Sequence, residues 1–221
     1  MKHIVVDLEM NIIRNNAEAR KICTNETIEI GAVMLDDNLQ EIASFRTYVK
    51  PEYNDTIFHK ITKLTGITNE MVANAPTFRD AFKMFTNWCL GTGDNVTLYA
   101  WSDSDYNQIK DEIALKGYEL SKAEEGIMER EWIDFQKEFD TKLGFDRQLS
   151  LKFALEMAGI EFSGREHDAL DDARNTAEVL HIFKNETLYN QTLRKIEEVM
   201  TPKNLGNTMG SMVDFSSFVL A

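Results

Sequence analysis

Residues 3–10 read His3-Ile4-Val5-Val6-Asp7-Leu8-Glu9-Met10. Three consecutive β-favouring residues, Ile4 to Val6, predict a strand here. Side chains alternate along a strand, so Asp7 and Glu9 share one face while Ile4, Val6 and Leu8 point the other way. Two acids on one face of a central, otherwise apolar strand repel each other and lose solvation. A divalent cation between them would make the arrangement reasonable. At an exposed strand end the same pair would simply be hydrated, so the pair alone leaves both readings open.

Working outward, residues 27–36 read as a second strand and residues 39–50 as a third, with Asp36-Asp37-Asn38 as the turn. The three form an antiparallel meander. The polar stretch 11–26 between the first two is longer than a hairpin turn, and loops of that length are often functional. From residue 68 the period changes. Thr68 caps a short helix ending near Asn74-Ala75-Pro76. Thr77 and Asp80 form a capping-box pattern that opens a helix over 78–90, with Phe78, Phe82, Phe85 and Trp88 on or near one face. A strand over 96–101 and a helix over 104–116 follow. Segment 111–140 holds ten acids and four bases and reads as a solvated helical face. A helix over 150–158 ends at Gly159. Helices over 168–186 and 188–199 come next, stopped by Pro202, and residues 203–221 read as a mobile or docked tail. Strands first, then helices alternating with strands, mean a mixed α/β domain. Its predicted extent is residues 1–186, with a C-terminal helix and tail over 187–221.

The bulk properties narrow the classes. A chain of 221 residues is one domain with an appendage. Lys plus Arg is 24 and Asp plus Glu is 37, a net charge of −13. That balance argues against strong non-specific binding to long nucleic acid or anionic membrane. It leaves room for a small metal-filled site, where bound cations invert the local charge. Cys23 and Cys89 are far apart, which suggests neither a disulfide framework nor a zinc cage and fits a reducing cytoplasm. The early Asp7 argues against a signal peptide, and no apolar run approaches a membrane span.

Two further clusters carry chemistry. Tyr99-Ala100-Trp101-Ser102-Asp103-Ser104-Asp105 lies where a strand ends and a helix begins, the edge at which α/β folds place ligands. Asp103 or Ser102 there reads equally as a helix cap. His167-Asp168-Ala169-Leu170-Asp171-Asp172-Ala173 opens a late helix. Acids suit a helix's first turn, but that leaves His167 unexplained.

Together, Asp-x-Glu on the first strand, an Asp after a middle strand and His-x-Ala-x-x-Asp on a late helix resemble the DEDDh 3′–5′ exonucleases of the DnaQ-like, ribonuclease-H-like superfamily. Residues 26–33 (ETIEIGAV) resemble that family's second strand, and 64–72 (LTGITNEMV) its loop after the third. The resemblance covers about residues 1–185. It leans toward the KapD-like and histone-mRNA-exonuclease branch through the insert before Glu26, Trp101, and the run Phe162 to His167. It implies a ribonuclease-H-like fold, with a mixed sheet of three antiparallel strands then parallel ones, flanked by helices. Carried over, Asp7, Glu9, Asp105 and Asp172 match the four metal-binding carboxylates and His167 the name-giving histidine. Asp105 is preferred to Asp103 because the following Tyr-Asn-Gln-Ile fits the family's helix start. The spacing from His167 selects Asp172 over Asp171.

The resemblance implies two divalent cations, Mg²⁺ or Mn²⁺, with His167 taking the attacking water's proton. It further implies hydrolysis from a 3′ end to nucleoside 5′-monophosphates, with Glu9 also reaching the terminal 3′-hydroxyl. The backbone around Leu8 and Met10 resembles the family's seat for the last nucleotide, with Met10 or Leu64 as the candidate wedge against its base and Arg165 either a phosphate contact or a surface arginine. Lys60, Lys63, Arg14, Arg20 and Lys21 are candidates to rim the cleft, and His59 reads as a surface residue. The expected partner is single-stranded or short RNA with a free 3′ end. DNA of the same form, as for a proofreading enzyme, is the alternative, and a non-catalytic binding module is the rival from another class. Members of the family often pair, which leaves a homodimer open.

Overall fold

The computed structural model describes residues 1–91 and 95–200. Strands β1 (Lys2–Ile12), β2 (Asn25–Leu35) and β3 (Glu41–Tyr48) form the meander. β4 (Val96–Ala100) and β5 (Trp132–Asp134) run parallel to β1, giving the order β3-β2-β1-β4-β5. The strand bearing Asp7 and Glu9 is therefore the middle one. β1 and β2 are longer than the sequence pattern suggested, which shortens the intervening loop to residues 13–24, with a 3-10 turn at Ala19–Lys21.

The helices are α1 (His59–Thr65), α2 (Asn69–Val72), α3 (Phe78–Leu90), α4 (Ser104–Lys116), α5 (Lys122–Met128), α6 (Phe135–Leu143), α7 (Leu151–Ala158), α8 (Ala169–Lys184), α9 (Glu186–Gln191) and α10 (Arg194–Met200). They cover both faces of the sheet. On one, Val5, Val33 and Tyr99 pack against Phe135 and Phe139 of α6 and Phe183 of α8. On the other, Ile4, Val6 and Leu98 pack against Phe78, Phe82 and Phe85 of α3. The alternation that sends Ile4, Val6 and Leu8 one way thus sends Val5, Asp7 and Glu9 toward α8.

Three expectations need correction. Segment 111–140 is not one solvated helical face: it holds α5, β5 and α6, and Glu112, Glu124 and Asp140 are buried. Glu112 is satisfied there by Thr27 and Gln108 and by Lys116 at 3.1 Å. The helix expected over 188–199 is two, because Leu193 turns inward to full burial between α9 and α10. The helix over 168–186 ends at Lys184, since Asn185 leaves helical geometry and its side chain accepts from the Leu188 N–H to cap α9. Tyr189 and Leu193 join the α8-side core. The expected tail over 203–221, with Pro202, lies outside the described residues. Among the described residues no helix is long and apolar enough to cross a membrane.

Candidate active site

A cavity of about 460 Å³ opens beyond the end of β4, beside the middle of β1, lined among others by Asp7, Glu9, Met10, Asp105, His167 and Asp172. Three separate elements supply the carboxylates. β1 carries Asp7 and Glu9, and the register of its pairing with β2 shifts between Glu9 and Met10. Such irregularities re-aim side chains beside functional sites. α4 supplies Asp105 from its first turn, where the carboxylate accepts the Leu8 backbone N–H at 3.0 Å. That bond ties the start of α4 to the middle of β1. α8 supplies Asp172, whose carboxylate accepts the His167 backbone N–H at 3.1 Å. His167 itself is exposed and has φ of +63°, a left-handed backbone that costs a non-glycine residue energy. Glu9, His167 and Asp172 each offer one ligand atom within 4.8 Å of the others.

The rival acids fall elsewhere. Asp103 is exposed and lines a neighbouring cavity with Tyr106 and Trp132. Asp171 accepts the Arg165 backbone N–H at 2.8 Å and holds the turn at Gly164. Leu8 and Met10 line the acidic cavity, but Leu64 and Arg165 do not. They touch one another, the Arg165 guanidinium donating to the Leu64 carbonyl at 3.3 Å. None of Arg14, Arg20, Lys21, Lys60 or Lys63 lines it either. The lysine in its lining is Lys152, which pairs with Glu166 at 2.5 Å.

Sequence reasoning missed the parts that seat α8. Glu9 lies directly opposite Glu29 on β2, and Asp7 opposite Gly31. Glu29 is fully buried, pairs with Arg46 at 2.6 Å and accepts the Ala169 N–H at 3.2 Å. Arg46 also pairs with Asp168, the cap of α8, at 2.6 Å. Buried Asn175 holds the histidine loop by accepting the Ser163 N–H at 3.0 Å and donating to the Ser163 carbonyl at 2.8 Å. The signal for Glu29 was present in part: it is a lone acid in the otherwise apolar run of residues 28–35. Its partner Arg46 needed the strand register.

The electrostatics are strained. Burial, then Asp105, Asp172 and Glu9, push the Asp7 carboxyl well above its usual range. Burial, then Asp172 and Glu29, raise Glu9 to about 8. Burial raises Asp105 to about 7 despite the Leu8 N–H, and Asp172 to about 7 despite the His167 N–H. Among the described residues none of the four forms an ion pair. A carboxyl raised in the folded state contributes stability that is present below its unfolded value and is lost as pH rises through its folded value. The metal-free protein is therefore expected to lose melting temperature between about pH 5 and pH 8, across the window these shifts define. A cation that binds the ionised cluster should stabilise the fold more at the upper end. Thermal scans in EDTA and in Mg²⁺ at both ends check this. An equal metal-induced shift at the two pH values would contradict it.

A mixed sheet with acids on its middle strand, faced by a late helix, is the ribonuclease-H-like nuclease fold. The Exonuclease (RNase_T) family pattern matches residues 4–180, and the chain belongs to that family. 3′-5′ exoribonuclease 1 of Homo sapiens is 30% identical over 164 residues, covering 70% of this chain and 45% of that protein. ERI1 exoribonuclease 2 of Mus musculus is 30% identical over 224 residues, covering 91% of this chain and 31% of that one. The chain thus spans less than half the length of these relatives. The nuclease domain of 3′hExo, a DEDDh family member bound to rAMP, superposes with a TM-score of 0.70 at 24% identity, covering 81% of this chain and 90% of that one.

Proposed function

We propose that this protein is a divalent-cation-dependent 3′–5′ exonuclease acting on single-stranded or short RNA and releasing nucleoside 5′-monophosphates. The observation that carries the reading is the convergence of Asp7, Glu9, Asp105, Asp172 and His167 on one cavity from β1, α4, and α8 with its preceding loop. RNA is favoured over DNA because the relatives named above are exoribonucleases. Residues 1–186 form the catalytic unit, which works in the cytoplasm.

The four carboxylates would hold the ions. Their donor set is hard oxygen with no thiolate, since Cys23 and Cys89 are buried away from the cavity lining, and this suits Mg²⁺ or Mn²⁺. Four acids without an ion pair, Glu9 and Asp105 buried and Asp7 and Asp172 half-buried, also fit a cluster built to be neutralised by cations. When bound, two such ions supply activation of the attacking water and stabilisation of the leaving 3′ oxygen. His167 takes the water's proton, because it is the imidazole in the cavity lining and offers a ring nitrogen beside Glu9 and Asp172. Asp172 fixes the strained backbone that aims it. Glu9 accepts the terminal 3′-hydroxyl, while Leu8 and Met10 seat the last nucleotide. Leu64 and Arg165 contact the substrate beyond them, which requires Arg165 to release the Leu64 carbonyl.

RNA and DNA oligomers of about twelve nucleotides, in the size range of single-strand channels, test the reading. Nucleoside 5′-monophosphates should be the product, faster from RNA. The His167→Ala variant should turn over about 10²–10⁴-fold more slowly with an unchanged melting temperature. Nucleoside 3′-monophosphates, or an unimpaired His167→Ala variant, would overturn it.

A further inference from the structure

Two surfaces beside the acidic cavity are candidates for the part of a strand that lies upstream of the 3′ end. One, which shares Ser102 with it, is a cavity of about 290 Å³ lined by Asp103, Glu131 and Asp134 with Arg130. Three carboxylates would repel phosphates there, and the Arg130 guanidinium is engaged with the Val96 carbonyl at 3.3 Å. The other lies farther along β1 from Met10, which lines the acidic cavity. Arg14 is four residues on from Met10, at most roughly 13 Å along the chain. Asn11, beside Met10, accepts the Phe58 N–H at 2.9 Å and donates to the Thr56 carbonyl at 3.3 Å. That fixes the start of α1 next to the cavity wall. The Arg14 guanidinium lies 4.1 Å from the centre of the Phe58 ring, a contact that holds the side chain while leaving it exposed.

Beyond Arg14 lies a polar groove of about 560 Å³, lined by Arg14, Phe58, His59, Thr62, Asn69 and Glu70. Glu70 is the acid on its wall, and its carboxylate is engaged by the Thr68 side chain. His59, Lys60 and Lys63 are exposed on α1. Among the described residues neither they nor Arg14 form an ion pair with a carboxylate. In a chain of net charge −13, residues 56–68 hold no acid.

We infer that the upstream segment of a single strand leaves the cavity past Met10 and lies over Arg14 and α1, where Arg14, Lys60 and Lys63 grip its phosphates. The inference rests on the exonuclease reading and adds the direction of the strand and the surface that favours longer substrates. The cations expected to rim the cleft are thus placed one step outside it. Lys21 is not among them, since it pairs with Glu18 at 2.7 Å.

The test compares wild type with the triple variant Arg14→Ala/Lys60→Ala/Lys63→Ala on a dinucleotide and on an RNA of about twelve nucleotides. For the longer RNA, KM should rise about 10-fold or more with kcat unchanged, while the dinucleotide constants stay put. The salt dependence of that KM should flatten by about 2 in logarithmic slope, near 0.7 for each lost phosphate contact on a single strand. An unchanged KM for the longer RNA, or equal losses on both substrates, overturns the inference. Fluorescence anisotropy of the longer RNA in EDTA keeps the surface testable if neither substrate is cleaved, an outcome that would deny the exonuclease reading instead. Weaker binding by the triple variant supports the surface, and equal binding overturns it.

Discussion

Asp7→Asn should abolish turnover while making the metal-free protein harder to melt. Asp7 sits between Asp105, Asp172 and Glu9, and its charge is opposed by burial and by all three. An amide of the same shape removes that repulsion and lowers the desolvation cost, so the metal-free melting temperature should rise. The same change removes a charged oxygen ligand that a hard cation requires. Groups that act as one unit lose most of their effect together, so the activity loss should reach about 10³-fold or more. Opposite movements of activity and stability separate this from damage to the fold. Thermal scans in EDTA and a single-turnover assay measure both. Activity within ten-fold of wild type would end the cation account.

Gly31→Ala should cost both stability and activity. Gly31 lies opposite Asp7 on β2, under the start of α8. A Cβ there would stand 2.2 Å from the Ala169 carbonyl carbon and 2.3 Å from the Leu170 nitrogen. Both are backbone atoms, so no side chain can swing aside and α8 itself must move. Overpacking of this kind costs about 3 kcal/mol. α8 carries Asp172 and adjoins His167, and a displacement of about 1 Å at a catalytic group costs about 10²-fold in rate. Urea unfolding and steady-state kinetics on the variant give the two numbers. A variant as stable and active as wild type would mean that α8 does not approach β2 this closely.

Much of this was legible in the residues, for local reasons. The meander follows from alternation and from the Asp36-Asp37-Asn38 turn. The limits of α3 follow from Thr77, whose side chain accepts the Asp80 N–H. The limits of α7 follow from Ser150 and from Gly159 at φ of +73°. What stayed hidden depends on tertiary register. β5 is three residues inside an acidic stretch, and only its pairing with β4 makes it a strand. Glu29 and Arg46 are ordinary strand residues until β2 and β3 are aligned and α8 is laid across them. Asp105 and Asp103 differ by two positions, and burial alone sends the first inward and the second outward. Leu64 and Arg165 were tied to the site by their neighbours in sequence. In space they face each other across the α1–α2 turn, where the guanidinium packs against Gly66.

The most direct experiment is a single-stranded RNA labelled at its 5′ end, incubated with the purified protein in Mg²⁺ or Mn²⁺ and resolved by length over time. The labelled strand should shorten one nucleotide at a time from its 3′ end, and EDTA or Asp7→Asn should stop it. An intact strand beside folded, metal-loaded protein, or shortening that persists in Asp7→Asn, would contradict the assignment of these carboxylates to a 3′–5′ exonuclease.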